Sequence, residues 1–516
     1  MKRTGFLGID AGTQGLSVIF TDDEMKILAT GEAGYGMVPG LGSECYEQEP
    51  VDWERALGAA MADLRAKLAP LGIEPDVRAI GICGQMHGEV LADELGRSLG
   101  PARLWCDGRN EAEGHELTDR LGTKMPKRIT SARWLWTIRN RPEVAAKAAH
   151  LSTPAGWLAF RLTGAWILGI GDAAGMFPID QQSLDYDTLR LADFDAVVHA
   201  AAAGRTIRPL RDLLPHVRRA GQDGGALDGH GAIVLGLPVG TPVAPAEGDQ
   251  PAALTGSLIG AAGMVSMSFG TSVVANAVGD RPFKGIARSV DHFCAPDGKP
   301  INMVWLRNGT TALNSVVEMF GRVGGGTRGD GFAAVIPHLL AASDDCGGLV
   351  ALPFMDDEPG LGVSRGGSAS VVGLNEKNAT PGNVAKAMLL ATMFNLRLGS
   401  EPLDGQGFPR SEIILSGGLA KTPALGQLLA DVFNTPVAIL DGAAEGTAWG
   451  AALMAKYRSR TIAGSAPDWA AFLADHASGT PTRFAPRAAA VKALTERYTR
   501  HKRLVELHGP LEGVTA

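Results

Sequence analysis

Nowhere does the sequence carry about 18 consecutive uncharged apolar residues, the minimum for a membrane-spanning helix. The N-terminus, MKRTGFLGIDAGTQG, runs straight into an apolar strand with no long leader-like segment ahead of it. A cytoplasmic location without membrane attachment is therefore expected, and the sequons at Asn308 and Asn378 then carry no meaning. Cysteine is scarce. Cys45, Cys83, Cys106, Cys294 and Cys346 are odd in number and never spaced CxxC, which argues against a disulfide framework and a zinc site. There is no basic run, and the formal net charge is -7, so nucleic acid is not expected as a partner. Three catalytic signatures are missing as well. No GxxxxGK[ST] excludes a Walker phosphate loop, no GxSxG excludes the serine-hydrolase elbow, and GHELTD (114–119) is not HExxH.

What is present is ordinary globular composition, 45% hydrophobic and 20% charged, in a chain of 516 residues. That length exceeds one core and predicts two domains of roughly 250 residues. The 68 glycines and 30 prolines are dispersed, which points to tight turns and close backbone approaches. FLGIDAG and LSVIFTD read as strands joined by a Gly-Thr-Gln-Gly turn, and AIGICGQMHG (79–88) as a strand ending in a polar loop. Between them, Trp53, Leu57, Met61, Leu64 and Leu68 fall on one face of a helix. Strands alternating with helices predict an α/β fold. A second series begins at MVSMSFGTSVVANA (264–277), followed by a helix near 382–400, the strand EIILSGG (412–418) and helices at 423–434 and 445–457.

Each half therefore opens with an apolar strand, a Gly-Thr turn and a return strand. IDAGTQG and SFGTSVV read as two phosphate-gripping turns facing each other across a cleft; two unremarkable hairpins are the alternative. Gly12 and Gly15 let backbone N–H groups point at phosphate oxygens, Thr13 adds a hydroxyl, and Asp10 at the strand end can hold a Mg²⁺ water. Gly417 and Gly418 sit at a strand–helix junction where a flat base or a phosphate can lie against bare backbone. The GxGxxG at Gly324, Gly326 and Gly329 follows a helix and not a strand, fails the dinucleotide context, and reads as a flexible loop.

Two further stretches bear on chemistry. GQMHG (84–88) and LWCDGRN (104–110) place Gln85, His87, Asp107 and Arg109 just after strands, where α/β proteins bind ligands, with Met86 and Trp105 available as apolar walls. PVAPAEGDQPAALTG (242–256) surrounds Glu247 and Asp249 with small residues. Asp249 reads either as the cap of a small-residue helix over Ala252–Gly263, with Pro251 in its first turn, or as an acid that another group must approach closely.

These residues resemble the FGGY carbohydrate kinases, in the branch that phosphorylates xylulose. The resemblance is carried by GIDAGTQG, GQMHG, LWCDGRN, LTGAWILGIGDAAGMFPID (162–180), GDQPAALTG, SFGTS, SRGGSASVVGL (364–374), LSGGLAKTPALGQLLADVFNTPV and the closing RYTRHKRLVE, in family order from residue 5 to about 506. It implies two actin-like ATPase (ribonuclease H-like) domains, 1–254 for sugar and 255–516 for nucleotide, with an interdomain catalytic cleft. It implies transfer from ATP to a free sugar hydroxyl, D-xylulose first, with Asp249 as the base. Asp10 and Asp249 would organise Mg²⁺. Asp10, Gly12, Thr13, Gln14, Gly270, Thr271, Gly417 and Gly418 would contact ATP, and Met86, His87, Gly88, Trp105, Asp107, Asp249 and Gln250 the sugar. By the same resemblance an oligomer, a homodimer, is expected.

The chain departs from the family pattern in places. Ser17 stands where relatives carry a cation, Phe269 where a smaller residue is commoner, and NVAKAMLLAT (383–392) lacks an acid; residues 320–348 align least well. These put the sugar in question rather than the reaction, because one pocket side chain can exchange one hydroxyl pattern for another. Sedoheptulose, ribulose, erythrulose or a polyol is the runner-up substrate. A non-sugar actin-like ATPase would need the phosphate turns but not GQMHG, LWCDGRN and Asp249 together, and a silent sugar sensor would be expected to lose Asp10 or Asp249.

Overall fold

A computed structural model describes residues 1–323, 327–440, 446–477 and 480–509. They form two compact units: Met1–Gly260 with His292–Ile301 and Ala444–Ala477, and Ala261–Asp291 with Asn302–Ala443 and Ser478–Ala516. The sequence reading draws one boundary between 254 and 255, whereas compactness returns two later segments to the first unit.

The first unit is built on a five-stranded sheet. Its strands are β1 (Lys2–Ala11), β2 (Gly15–Asp22), β3 (Ile27–Gly34), β4 (Glu74–Gly84) and β5 (Glu247–Gly248), in the order β5-β4-β1-β2-β3. The first three pair antiparallel as a meander, whereas β4 joins β1, and β5 joins β4, in parallel. The run Phe6, Leu7, Ile9 is buried on both faces, as a central strand requires. Helix α1 (Pro50–Leu68) opens with Pro at its first turn and buries Trp53, Leu57, Met61, Leu64 and Leu68, the face its spacing predicts.

Another helix of this unit, Gly446–Ile462, arrives from far along the chain. It lies on β1 and β4 at backbone contact: a Cβ on Gly8 would stand 2.0 Å from the Ala448 carbonyl oxygen, and one on Gly81 1.8 Å from that of Ala451. Only glycines on the strands and alanines on the helix allow that approach. Trp449 Nε1 donates to the Met25 carbonyl at 2.9 Å and Lys456 Nζ to that of Asp23 at 2.6 Å, fixing the helix along its length.

The second unit repeats the pattern on a sheet that includes, in order, the strands 273–278, 264–269, 412–417, 437–439 and 482–484. Met264–Phe269 pairs antiparallel with Val273–Val278 and parallel with Glu412–Gly417, as β1 does with β2 and β4. Phe269 is fully buried in this unit's core beside Val273 and Val304, which accounts for its size. The helix Pro381–Gly405 covers the sheet with an almost unbroken buried run, Ala385 to Leu396. Of the GxGxxG, Gly324 and Gly326 lie outside the described residues. Gly329 is not in a loop: it sits in the helix Arg328–Ala341, started by a capping box of Thr327 and Asp330.

Candidate active site

In the first unit, the sheet order brings the C-terminal ends of β1, β4 and β5 side by side, so three separate stretches of sequence meet there. The register pairs Asp10 with Cys83, and Cys83 with Glu247. Gly12 N–H closes the β1–β2 turn onto the Gly15 carbonyl at 3.0 Å, and an open cavity of about 760 Å³ lies over Asp10 and Gly12–Ser17. Helix α3 (Asp249–Gly256) begins at Asp249, immediately after β5, and ends before Ser257. It thus starts earlier and stops sooner than the expected 252–263. Gly248 occupies the N-cap position and Asp249 the first helical one, so Asp249 is not the backbone cap.

The small neighbours of Asp249 have identifiable reasons. A Cβ on Gly248 would fall 2.2 Å from Met86 Cγ, and one on Gly450 would fall 2.0 Å from the Ala252 carbonyl oxygen. Met86 and the helix Gly446–Ile462 therefore close on α3 from two sides. Burial pushes the Asp249 carboxyl up to about 7, and the charge of Asp10 adds to this; N–H groups of Gln250 and Met86 offset part. Asp10 is raised by burial too, and the Thr447 hydroxyl and Cys83 thiol work against the shift. Thr447 Oγ1 donates to Asp10 Oδ2, while the buried Asp10 Oδ1 has no hydrogen-bond partner among the described residues.

A second pair of carboxyls lies behind the first. Helix α2 (Ile170–Met176, between β4 and β5 in the chain) offers its first N–H groups to Glu247: Gly171 N at 3.2 Å and Asp172 N at 2.8 Å. A Cβ on Gly169 would stand 2.3 Å from Glu247 Cδ, so the GIG of ILGIGD clears the space for this side chain. Asp172 accepts from Thr153 Oγ1 at 2.6 Å. Burial pushes both carboxyls up to about 8, with Asp172 adding to Glu247, and Asp249 to Asp172. At its other end α2 meets His87, whose Nδ1 lies 2.9 Å from the Gly175 carbonyl. A carbonyl only accepts, so Nδ1 carries the proton and Nε2 is left as an acceptor. Burial, then the charge of Arg128, lowers His87 to about 3, so the ring is neutral at physiological pH.

The predicted site residues of this unit thus divide. Asp10, Met86, His87 and Asp249 gather at the strand ends, with Gly88 and Gln250 next to them in sequence. Thr13 and Trp105 are linked directly, Trp105 Nε1 donating to Thr13 Oγ1 at 3.1 Å, and the Trp105 ring is 44% exposed. Asp107 is fully buried and committed elsewhere, accepting from Arg109 Nη2 at 2.6 Å and Tyr46 N at 3.0 Å. Burial would raise its carboxyl, but these donors bring it below the usual range. Sequence reasoning missed Thr447, Glu247's grip on α2, and Gln48. For Thr447 a signal was there: GTAWGAALMA carries alanines on one helical face and glycines on the opposite one, the mark of close approach on two sides.

In the second unit the turn after Phe269 is braced from below. Thr310 N and Oγ1 both donate to the Gly270 carbonyl, at 2.8 and 2.9 Å, and Gly309 N donates to that of Thr271 at 2.9 Å. Gly270 and Thr271 are exposed, and so are Gly417 and Gly418 on the neighbouring strand end. Gly417 pairs with Phe269 in register and holds φ +75, where a side chain is strained. A Cβ there would also meet the Phe269 carbonyl oxygen at 2.9 Å.

Comparison with known proteins decides the family. The N-terminal domain of the FGGY family of carbohydrate kinases matches residues 6–256, and its C-terminal domain residues 265–459. The chain belongs to the FGGY family of carbohydrate kinases. It is a phosphotransferase that uses ATP and a sugar. This kinase is 28% identical over 471 residues to the xylulose kinase of Haemophilus influenzae, covering 88% of this chain and 90% of the relative. Its fold matches the crystal structure of xylulose kinase from Rhodospirillum rubrum with a TM-score of 0.83 at 22% identity, covering 98% of this chain and 99% of that one. It also matches gluconate kinase from Lactobacillus acidophilus, with a TM-score of 0.80 at 19% identity and 98% of both chains. The fold is therefore shared by kinases named for different substrates. None of the kinase's helices among the described residues is long and apolar enough to cross a membrane.

Among the described residues no three His, Cys, Asp or Glu side chains converge as a metal cage. Mg²⁺ does not need one, since it is held by one or two carboxylates together with waters and substrate phosphates. Asp10 and Asp249 fit that role: two neighbouring carboxyls, the first with a buried oxygen that has no hydrogen-bond partner among the described residues.

Proposed function

We propose that this kinase transfers the γ-phosphoryl group of ATP to a hydroxyl of D-xylulose, giving D-xylulose 5-phosphate, with Asp249 as general base. The observation that carries the reading is the placement of Asp249 at the start of α3, directly after β5 and among residues too small to block its approach, where burial and the charge of Asp10 push its carboxyl up to about 7. A base works best when its pKa lies near the operating pH. Phosphoryl transfer passes through a loose transition state, so the protein contributes positioning and charge stabilisation more than covalent chemistry.

In the proposed reaction the sugar oxygen attacks the γ-phosphorus as Asp249 takes its proton. The bond to the bridging oxygen breaks, ADP departs, and the proton passes from Asp249 to solvent. His87 presents Nε2 as an acceptor for a sugar hydroxyl. Met86, Gly88, Trp105 and Gln250 complete the sugar contacts, and Asp107 anchors the 104–110 loop through Arg109. The backbone N–H groups of Thr13 and Gln14 are proposed to receive phosphate, as is that of Thr271, while the Gly12 and Gly270 N–H groups close their own turns onto the Gly15 and Ser272 carbonyls and leave those two residues to shape the turns; Gly417 and Gly418 are proposed to lie against the adenine. Asp10, through Oδ1, and Asp249 would hold Mg²⁺, which neutralises phosphate charge when bound.

The choice of xylulose is supported by the Haemophilus relative, matched over nearly nine-tenths of both chains. The test is ADP release with Mg·ATP across ketopentoses, sedoheptulose, erythrulose and polyols. D-xylulose is expected to give the highest kcat/KM. A larger value for another sugar would move the substrate assignment, and steady hydrolysis indifferent to every sugar would point to an actin-like ATPase or sensor.

A further inference from the structure

Gln48 lies in the two-residue strand Glu47–Gln48, just ahead of α1, and is 1% exposed. Its Nε2 donates to the Thr13 carbonyl at 2.7 Å. Its Oε1 accepts from Trp53 Nε1 at 3.1 Å and from Gln85 Nε2 at 2.9 Å. Gln85, equally buried, accepts on Oε1 from Thr13 Oγ1 at 3.3 Å, and Thr13 Oγ1 in turn accepts from Trp105 Nε1. The bonds close a ring, Thr13 to Gln48 to Gln85 and back to Thr13. It ties together the β1–β2 turn, the strand before α1, and the loop that begins with Gln85, Met86 and His87.

The polarity of the ring follows from one residue. An indole N–H only donates, so Trp53 makes Gln48 Oε1 the acceptor and turns Nε2 toward the Thr13 carbonyl. Gln85 must then donate to Gln48, which leaves its Oε1 to accept, and the Thr13 hydroxyl hydrogen is the donor within reach. Trp105 takes the Thr13 lone pair. The hydroxyl hydrogen of Thr13 is therefore directed inward, and the turn offers phosphate its backbone N–H groups. Buried amides bonded at both their oxygen and their nitrogen are expensive to disturb, because each loss strands another polar group.

We infer that Gln48 is a positioning residue that holds the phosphate-binding turn and the sugar-facing strip Gln85–Gly88 in one register. The inference rests on the proposed function for the roles of turn and strip. Gln48→Met keeps the shape and removes both ends of the amide. It is expected to raise KM for ATP and KM for the sugar together, each about tenfold, the equivalent of one buried hydrogen bond. Gln85→Met should do the same, and the double variant should be no worse than the worse single one, because the two act as a unit.

Rates are taken per folded site, alongside Tm. If Gln48→Met lowers Tm or folded yield but leaves both KM values unchanged, or moves only one, the inference is overturned. The ¹⁵N–¹H indole resonances of Trp53 and Trp105 read the ring without reference to catalysis. Gln48→Met should shift both, Trp53 directly and Trp105 through Gln85 and Thr13; an unmoved Trp105 would also overturn the ring. Failure of the proposed function looks different: the wild-type protein would show no sugar-stimulated turnover, while the indole test would still decide the ring.

Discussion

Replacing Asp172 with Asn should make this kinase more stable as pH rises, relative to wild type. Asp172 is fully buried behind the site, with one oxygen bonded to Thr153 and the other without a hydrogen-bond partner among the described residues. Burial, with a contribution from Asp249, pushes its carboxyl up to about 8 from an ordinary 3.8. The folded protein therefore binds a proton that the unfolded chain has already released, so wild-type stability falls as pH climbs from the unfolded value towards the folded one. The slope in that window is about 1.4 kcal/mol per pH unit, which gives ~3 kcal/mol between pH 5 and pH 7.5. Glu247 lies in the same pocket and its charge is coupled to that of Asp172, so the two titrate as a pair and ~3 kcal/mol is the upper figure. Asparagine has no proton to lose, so its advantage over wild type should grow by up to that amount across the window, whatever constant offset the amide introduces. Urea unfolding followed by circular dichroism and tryptophan fluorescence at a series of pH values measures it. A difference between the two proteins that stays flat from pH 5 to 7.5 would refute the reasoning.

Two other expectations follow from the same geometry. The pH profile of kcat/KM for the sugar should rise through an apparent pKa near 7, because Asp249 accepts a proton only when ionised; a profile flat to pH 5 would remove Asp249 as the titrating base. Gly81→Ala should lower Tm by roughly 6 °C or more, since its Cβ would stand 1.8 Å from a backbone oxygen of the helix that carries Thr447. A Tm within a degree of wild type, read by calorimetry, would mean that helix is not seated as described.

Much of this was legible in the sequence because the signals are local. A strand, a Gly-Thr turn and a return strand can be read at 6–20 and again at 264–277, and the face of α1 can be read from Trp53 to Leu68. Asp249 stood out because its neighbours lack side chains. The reasons for that bareness were not legible, because they are distant. Gly248 makes room for Met86, Gly169 for Glu247, and Gly8, Gly81 and Gly450 for close contacts with the helix Gly446–Ile462 or across it to α3. Nothing near Asp10 in sequence announces Thr447, more than 400 residues away. Asp107 looked like a sugar ligand because charge after a strand usually faces a ligand; its partner Arg109 follows two residues later and takes it. Gln48 carries no charge and matches no catalytic pattern, and only the closed ring of hydrogen bonds distinguishes it from any buried amide.

The measurement that bears most directly on the central claim is Asp249→Asn in a quenched-flow single turnover with Mg·ATP and D-xylulose, with both ligands shown to bind the same sample by calorimetry. The account predicts a folded protein that binds nucleotide and sugar but transfers phosphoryl at least ~10²-fold more slowly, the scale of a lost general base. Transfer at the wild-type rate in a variant that binds both would contradict it, and Asp249 would then be a helix residue and not the base.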